Sequence, residues 1–182
     1  MLLIAIAHYL DRAKLQEVRE GISELEIQKL AYFLQVLGAP LRLTFVRGTY
    51  GPYAAGLNHT LDTLEGHYLT GIGDRSAQVT HLVPVNPLPG SVEASDAALR
   101  DEPGFLQRVT DLLQLVDGFE TPYSLELLAT VHFASVQPPP TADPAELTDR
   151  VASWSLRKAR MFTDKHVRVA ASRLLEQDLL PG

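Results

Sequence analysis

Three local signals fix where helices begin in this chain, and they commit it to a set of moderately long helices joined by short connections. Ser23-Glu24-Leu25-Glu26 is a capping box, in which the serine hydroxyl and the glutamate three residues on satisfy opposite orphan amides at a helix start. Thr121-Pro122 and Asp143-Pro144 each place a cap residue before a proline at the first helical position, where the missing N–H would have had no partner. The first signal leads into a helix from about Glu24 to Leu37, with Ile27, Leu30, Ala31, Leu34 and Leu37 recurring at threes and fours and Gly38 then Pro40 closing it. Similar readings predict helices from after Tyr53 to Glu65 and over 91–101, 104–117, 122–135, 144–156 and 164–177. The apolar opening Leu2-Leu3-Ile4-Ala5-Ile6-Ala7 has no basic flank before it and no small-residue cleavage site after it, so it reads as a core helix and not a signal segment.

Strand signals are confined to the first half. Leu41, Leu43 and Phe45 alternate with Arg42, Thr44 and Arg47, a period-two pattern for a half-buried strand. His67–Thr70 and Val79–Val83 flank a Gly71-Ile72-Gly73-Asp74 turn and predict a paired hairpin. Pro84, Pro87 and Pro89 then mark an extended junction. The expected fold class is α+β, predominantly α-helical, with a small antiparallel β-sheet in the N-terminal half. All 182 residues are expected to form one domain with lobes near 1–84 and 91–182.

Composition narrows the function classes. Apolar residues are 46% and charged residues 21% of the chain, which excludes a disordered class. With no cysteine there is no disulfide framework, thiol nucleophile or Cys-ligated zinc. No stretch reaches the ~18 apolar residues of a membrane span, so a cytoplasmic protein with no membrane partner is expected. The net charge of −6 argues against direct nucleic-acid binding. That charge is uneven: eight carboxylates against two arginines between Glu93 and Glu126 give −6, whereas Arg150 to Asp178 carries +4. The two regions either attract one another within the fold or offer an acidic surface to a basic partner.

Few residues suggest catalysis. The six histidines have no short metal-ligand spacing, and His132, inside an apolar run, reads as a core histidine. There is no G-x-S-x-G elbow, phosphate-binding loop or glycine-rich dinucleotide turn, so no catalytic residue, metal or cofactor is assigned. Glu120 and Glu126 flank a Thr-Pro-Tyr helix start that favours negative charge. Trp154, Leu156 and Phe162 surround Arg157, Lys158 and Arg160, a combination suited either to a core edge with a basic face or to single-stranded nucleic acid. Tyr50-Gly51-Pro52-Tyr53 sets two aromatic rings around a rigid turn, either packed beneath it or presented outward.

Several blocks taken in order carry a family resemblance: Gln28–Gln35, Pro40–Leu43, Tyr50–Tyr53, Leu64–Tyr68, Gly71–Asp74, Gly118–Tyr123 and Glu126–His132. Together they resemble the C-terminal domain of DarG antitoxins, and the Lys29-Leu30-x-Tyr32-Phe33 and Tyr50–Tyr53 motifs are also similar to Panacea-like antitoxin domains. The resemblance implies a non-enzymatic domain, without the family's N-terminal macrodomain, that binds a DarT-type DNA ADP-ribosyltransferase. It implies inhibition by DNA mimicry, with carboxylates in place of phosphates and rings in place of bases, by a monomer that binds no nucleic acid itself. The toxin-binding residues expected on this basis are Tyr50, Tyr53, Glu65, His67, Asp74, Phe119, Glu120, Thr121, Tyr123 and Glu126. The competing expectation is a nucleic-acid-binding regulator that uses the basic C-terminal helices.

Overall fold

The computed structural model describes residues 1–16, 19–73, 84–102 and 104–182. Among these are nine helices: α1 (Leu2–Gln16), α2 (Glu24–Val36), α3 (Ala55–Leu64), α4 (Ser91–Leu99), α5 (Phe105–Leu115), α6 (Pro122–Ser135), α7 (Pro144–Ala152), α8 (Leu156–Met161) and α9 (Asp164–Glu176). Two small antiparallel pairs join β1 (Val46–Gly48) to β2 (Gly51–Tyr53) and β3 (Leu69–Thr70) to β4 (Asn86–Pro87). The chain is therefore α+β and mostly helical, and no helix among the described residues is long and apolar enough to cross a membrane.

Helix α6 is the centre. Leu125, Leu128, Ala129, Thr130 and Val131 are sealed on all sides, the pattern of a helix that is enclosed and not amphipathic. It touches α2, α7, α9 and β2, and one continuous apolar cluster links Ile6 and Leu10 of α1, Leu30 and Phe33 of α2, Val151 of α7 and Val167 of α9 around it. A smaller cluster of Ile4, Phe105 and Val109 fastens α5 to α1.

The capping signals form as the sequence requires. Ser23 accepts the Glu26 amide at 3.3 Å while Glu26 accepts the Ser23 amide at 2.8 Å. Glu26 is fully buried and also takes both oxygens' worth of contact from Arg19 at 2.7 Å and the Tyr9 hydroxyl at 2.7 Å, so this cap doubles as a junction with α1. Thr121 and Asp143 cap α6 and α7 as expected.

Two expectations are corrected. The alternating segment Leu41–Phe45 is not a strand, because its backbone finds a side chain where a strand would find a neighbour. Gln35 donates to the Leu43 carbonyl at 2.9 Å and accepts the Leu43 amide at 2.7 Å, and Arg42 sits at φ 55°. The helix expected over 144–156 ends at Ala152, since Ser155 caps a new helix by accepting the Lys158 amide at 3.2 Å. The expected partner strand Val79–Val83 lies outside the described residues; among the described residues Leu69–Thr70 pairs with Asn86–Pro87.

His132 is a core histidine, 2.6 Å from the Tyr32 hydroxyl through Nδ1. Burial lowers its pKa to about 4, against a backbone hydrogen bond to Leu179 that raises it. An unfolded chain takes up this proton near pH ~6.5 and the folded chain does not until about 4, so acid favours unfolding across that window. Denaturant unfolding at pH 7 and pH 4.5 should show a loss of roughly 2–3 kcal/mol from this group. In His132→Gln that part of the loss should be absent, whatever the variant costs at pH 7.

Candidate functional site

A group of charged side chains and aromatic rings forms where the β1–β2 hairpin lies across α6 and meets α8. Along one face of α6, Tyr123, Glu126 and Thr130 recur at three and four residues, so they stack in a row. Glu126 is buried and receives Lys158 Nζ at 2.6 Å and Arg157 through two nitrogens at 2.6 and 3.1 Å. Lys158 is itself sealed, also donates to Thr130 Oγ1 at 3.1 Å, and lies over the rings of Trp154 and Phe162. Burial alone would raise the Glu126 pKa, but hydrogen bonds and charge from Arg157 and Lys158 outweigh it and hold the carboxyl below its ordinary value. Glu126 is an ion clamped by cations, which makes it a poor proton acceptor.

A second buried lysine stands below the hairpin. Lys29 of α2 is 2% exposed and donates to the Pro52 carbonyl at 2.7 Å. Burial lowers its pKa to about 7, with Glu126 opposing and Lys158 reinforcing the shift. Gly51, at φ 91°, lets the backbone pass close to it: a Cβ there would meet Thr130 Oγ1 at 2.9 Å and Lys29 Cε at 3.4 Å. The hairpin is pinned further along by Gln28, which exchanges two hydrogen bonds with the Ala54 backbone at 3.0 and 3.1 Å. Trp154 Nε1 donates to the Gly48 carbonyl at 2.9 Å, and Arg47 donates to the Ser153 carbonyl at 2.9 Å.

Above these anchors two exposed guanidinium groups lie close to half-buried aromatic rings. Arg157 lies 4.7 Å from the Tyr50 ring centroid and Arg47 lies 4.8 Å from that of Trp154. Arg42, Arg47, Arg157 and Arg160 are exposed. Segments 41–53 and 153–163 together contain five bases and no carboxylate. Among the described residues no cluster of three or more histidines, aspartates or glutamates is placed to hold a metal.

Among the described residues, the expected site residues do not form one surface. Tyr50 is half-buried under Arg157, and Tyr53 is exposed, with its hydroxyl accepting from Asn58 at 2.8 Å. Tyr123 is exposed and its hydroxyl lies 2.7 Å from the Met161 carbonyl and 2.9 Å from His166 Nδ1. His67 is exposed, whereas Glu65 turns inward to accept the Gly71 and Ile72 amides at 3.2 and 3.0 Å. Thr121 is a helix cap. Phe119, Glu120 and Glu126 are buried, and Asp74 lies outside the described residues. A buried carboxylate cannot stand in for a phosphate, so Glu120 and Glu126, two of the eight acids between Glu93 and Glu126, are not presented to a partner. Lys29, Arg47 and Thr130 were missed by sequence reasoning; the one signal was a lysine within the apolar Ile27–Leu34 run, where a cation with no solvent exit needs a partner.

No family model matches this chain. It is similar to curated proteins named DNA ADP-ribosyl glycohydrolase. One, from Thermus aquaticus, is 44% identical over 161 residues, covering 88% of this chain and 43% of that protein. Another, from Mycobacterium tuberculosis, is 34% identical over 181 residues, covering 96% of this chain and 51% of that protein. The chain spans about half the length of the curated relatives it matches. Their name is that of an enzyme whose substrate is ADP-ribosylated DNA, and it overturns four expectations drawn from the antitoxin resemblance. The chain's relatives do not bear the name of a DarG-type or Panacea-like antitoxin domain, its expected function of binding a DarT-type toxin by DNA mimicry is set aside, and so are its expected lack of enzymatic association and of any nucleic-acid partner. The chain is similar to close to half of a DNA ADP-ribosyl glycohydrolase.

Proposed function

We propose that this chain is one portion of a DNA ADP-ribosyl glycohydrolase, a longer protein that frees ADP-ribose from modified DNA in the cytoplasm. The observation that carries this reading is the 44% identity, over 88% of the chain, to a Thermus aquaticus protein of that name. Electrostatics add support. In a chain of net charge −6, the exposed Arg47 and Arg157 lie beside the Trp154 and Tyr50 rings, next to the sealed Lys158 that shares Glu126 with Arg157. A local surplus of cations in an acidic protein suits a polyanionic substrate. The reaction adds water across the bond between ADP-ribose and DNA, so that the products are unmodified DNA and free ADP-ribose.

The test is to incubate the full-length protein that contains this chain with an ADP-ribosylated oligonucleotide and separate the products by chromatography. Release of ADP-ribose, with recovery of the unmodified oligonucleotide, is expected. No release at stoichiometric protein refutes the reading.

A further inference from the structure

We propose that the β1–β2 hairpin is a proton-operated strap: uptake of a proton by Lys29 unseats it from α6 and releases Trp154 while the helices stay folded, and loss of that proton seats it again. The device is built into the fold of this chain and does not depend on what the longer protein acts on.

Three observations meet under the hairpin. The first is a shortage of acceptors. A lysine ammonium has three protons to donate. Among the described residues Lys29 Nζ has one hydrogen-bond acceptor, the Pro52 carbonyl at 2.7 Å, and the side chain is sealed from water. Both carboxylate oxygens of Glu126 are taken by Arg157 and Lys158, and Thr130 Oγ1 already receives Lys158. A charged Lys29 therefore carries protons that nothing in the seated arrangement accepts, and opening toward water supplies the acceptors.

The second is the charge that faces it. Glu126 of α6 favours the ammonium and Lys158 of α8 opposes it, while Gly51 and Pro52 of β2 bring no ionisable side chain. Burial outweighs the carboxylate, so the seated Lys29 gives up its proton at about pH 7. The third is that the hairpin is a separable layer. It carries the acceptor of Lys29, and Gly51 beside that acceptor has no side chain to fasten into α6. Its other side-chain ties are Trp154 Nε1 to the Gly48 carbonyl and Arg47 to the Ser153 carbonyl, both 2.9 Å, and Gln28 to Ala54 at the start of α3, which remains as the hinge. When the hairpin lifts, Lys29 is solvated and keeps its proton to about 10.4. The lifted form binds the additional proton between pH 7 and that value, so opening becomes rarer as pH rises from 7 to 10 and is nearly level below 7.

Trp154 is the single tryptophan of the 182-residue chain, so its indole N–H gives one identifiable proton resonance. The experiment follows exchange of that hydrogen with solvent deuterium and compares its rate with that of N-acetyltryptophanamide at the same pH, which reads how often the hairpin lifts. Protection is expected to rise about 50-fold from pH 7 to pH 9 and only about 2-fold from pH 6 to pH 7, as proton release near 7 when seated and near 10.4 when lifted requires. In Lys29→Met most of the rise between pH 7 and pH 9 should be absent, because the titrations that both proteins share cancel in the comparison. Gly51→Ala puts a methyl group 2.9 Å from Thr130 Oγ1 on a backbone at φ 91°, and should lower indole protection at pH 9 by roughly 10-fold while far-ultraviolet circular dichroism stays that of the unaltered chain. Protection that is the same at pH 7 and pH 9, an undiminished rise in Lys29→Met, or loss of helical signal together with indole protection in Gly51→Ala overturns the proposal.

Discussion

Glu126→Gln should cost about 3–5 kcal/mol of stability at pH 7, because it leaves the sealed Lys158 ammonium without its counter-ion. For a chain of this size that is a fall of roughly 10 °C in melting temperature, read by thermal unfolding followed by circular dichroism. Arg157 is less affected by the change, since its side chain is 41% exposed and can turn to water. Lys158 has no such exit. The companion variant decides whether lost attraction or stranded charge is responsible. Glu126→Gln with Lys158→Met removes both ions, and replacing a buried pair by neutral groups is often close to harmless. The double variant should therefore recover most of the loss, and a double variant as unstable as the sum of the single changes would show that the pair is not coupled. The pH dependence follows from the direction of the Glu126 shift. A carboxyl held below its ordinary value contributes stability above that value, and the contribution disappears as pH falls through the folded-state pKa.

Lys29→Met should change the pH dependence of stability by nearly as much. In the folded chain burial brings the Lys29 pKa to about 7, while an unfolded lysine keeps its proton to about 10.4. Between these values the unfolded chain binds the additional proton, so the stability of the unaltered protein rises with pH. The rise attributable to Lys29 from pH 7 to pH 10 is roughly 3–4 kcal/mol. In Lys29→Met it should vanish, and the difference between the two proteins, measured by urea unfolding at each pH, cancels the titrations they share. At pH 10 the variant should be the less stable, having lost the hydrogen bond to the Pro52 carbonyl. A difference that does not vary with pH would show that Lys29 stays charged when buried.

The elements most legible in the sequence were those whose signals act locally. Ser23, Thr121 and Asp143 announced their helices because a cap is satisfied within three residues. The segment Leu41–Phe45 misled because alternation reports only which side chains face inward, and not what the backbone hydrogen-bonds to. Gln35, six residues upstream of Leu41, supplied both partners to Leu43. The site was harder for a related reason. Trp154, Arg157, Lys158 and Arg160 stood together in the sequence, but nothing local tied them to Tyr50 or to Arg47 across a hundred residues. Glu120 and Glu126 had the composition of surface acids, and only the placement of α6 at the centre of the fold made them interior groups. Charge summed over a window of sequence thus said little about charge on a face.

Two strands of three residues joined by a two-residue turn are too short to persist by themselves. The β1–β2 hairpin exists because Lys29 and Gln28 hold its far strand against α2 and Trp154 holds its near one. Its stability is therefore borrowed from the α2–α6 contact, and on unfolding it has no reason to outlast that contact. Tyr50 and Arg47 are, in kinetic terms, held by the helical core.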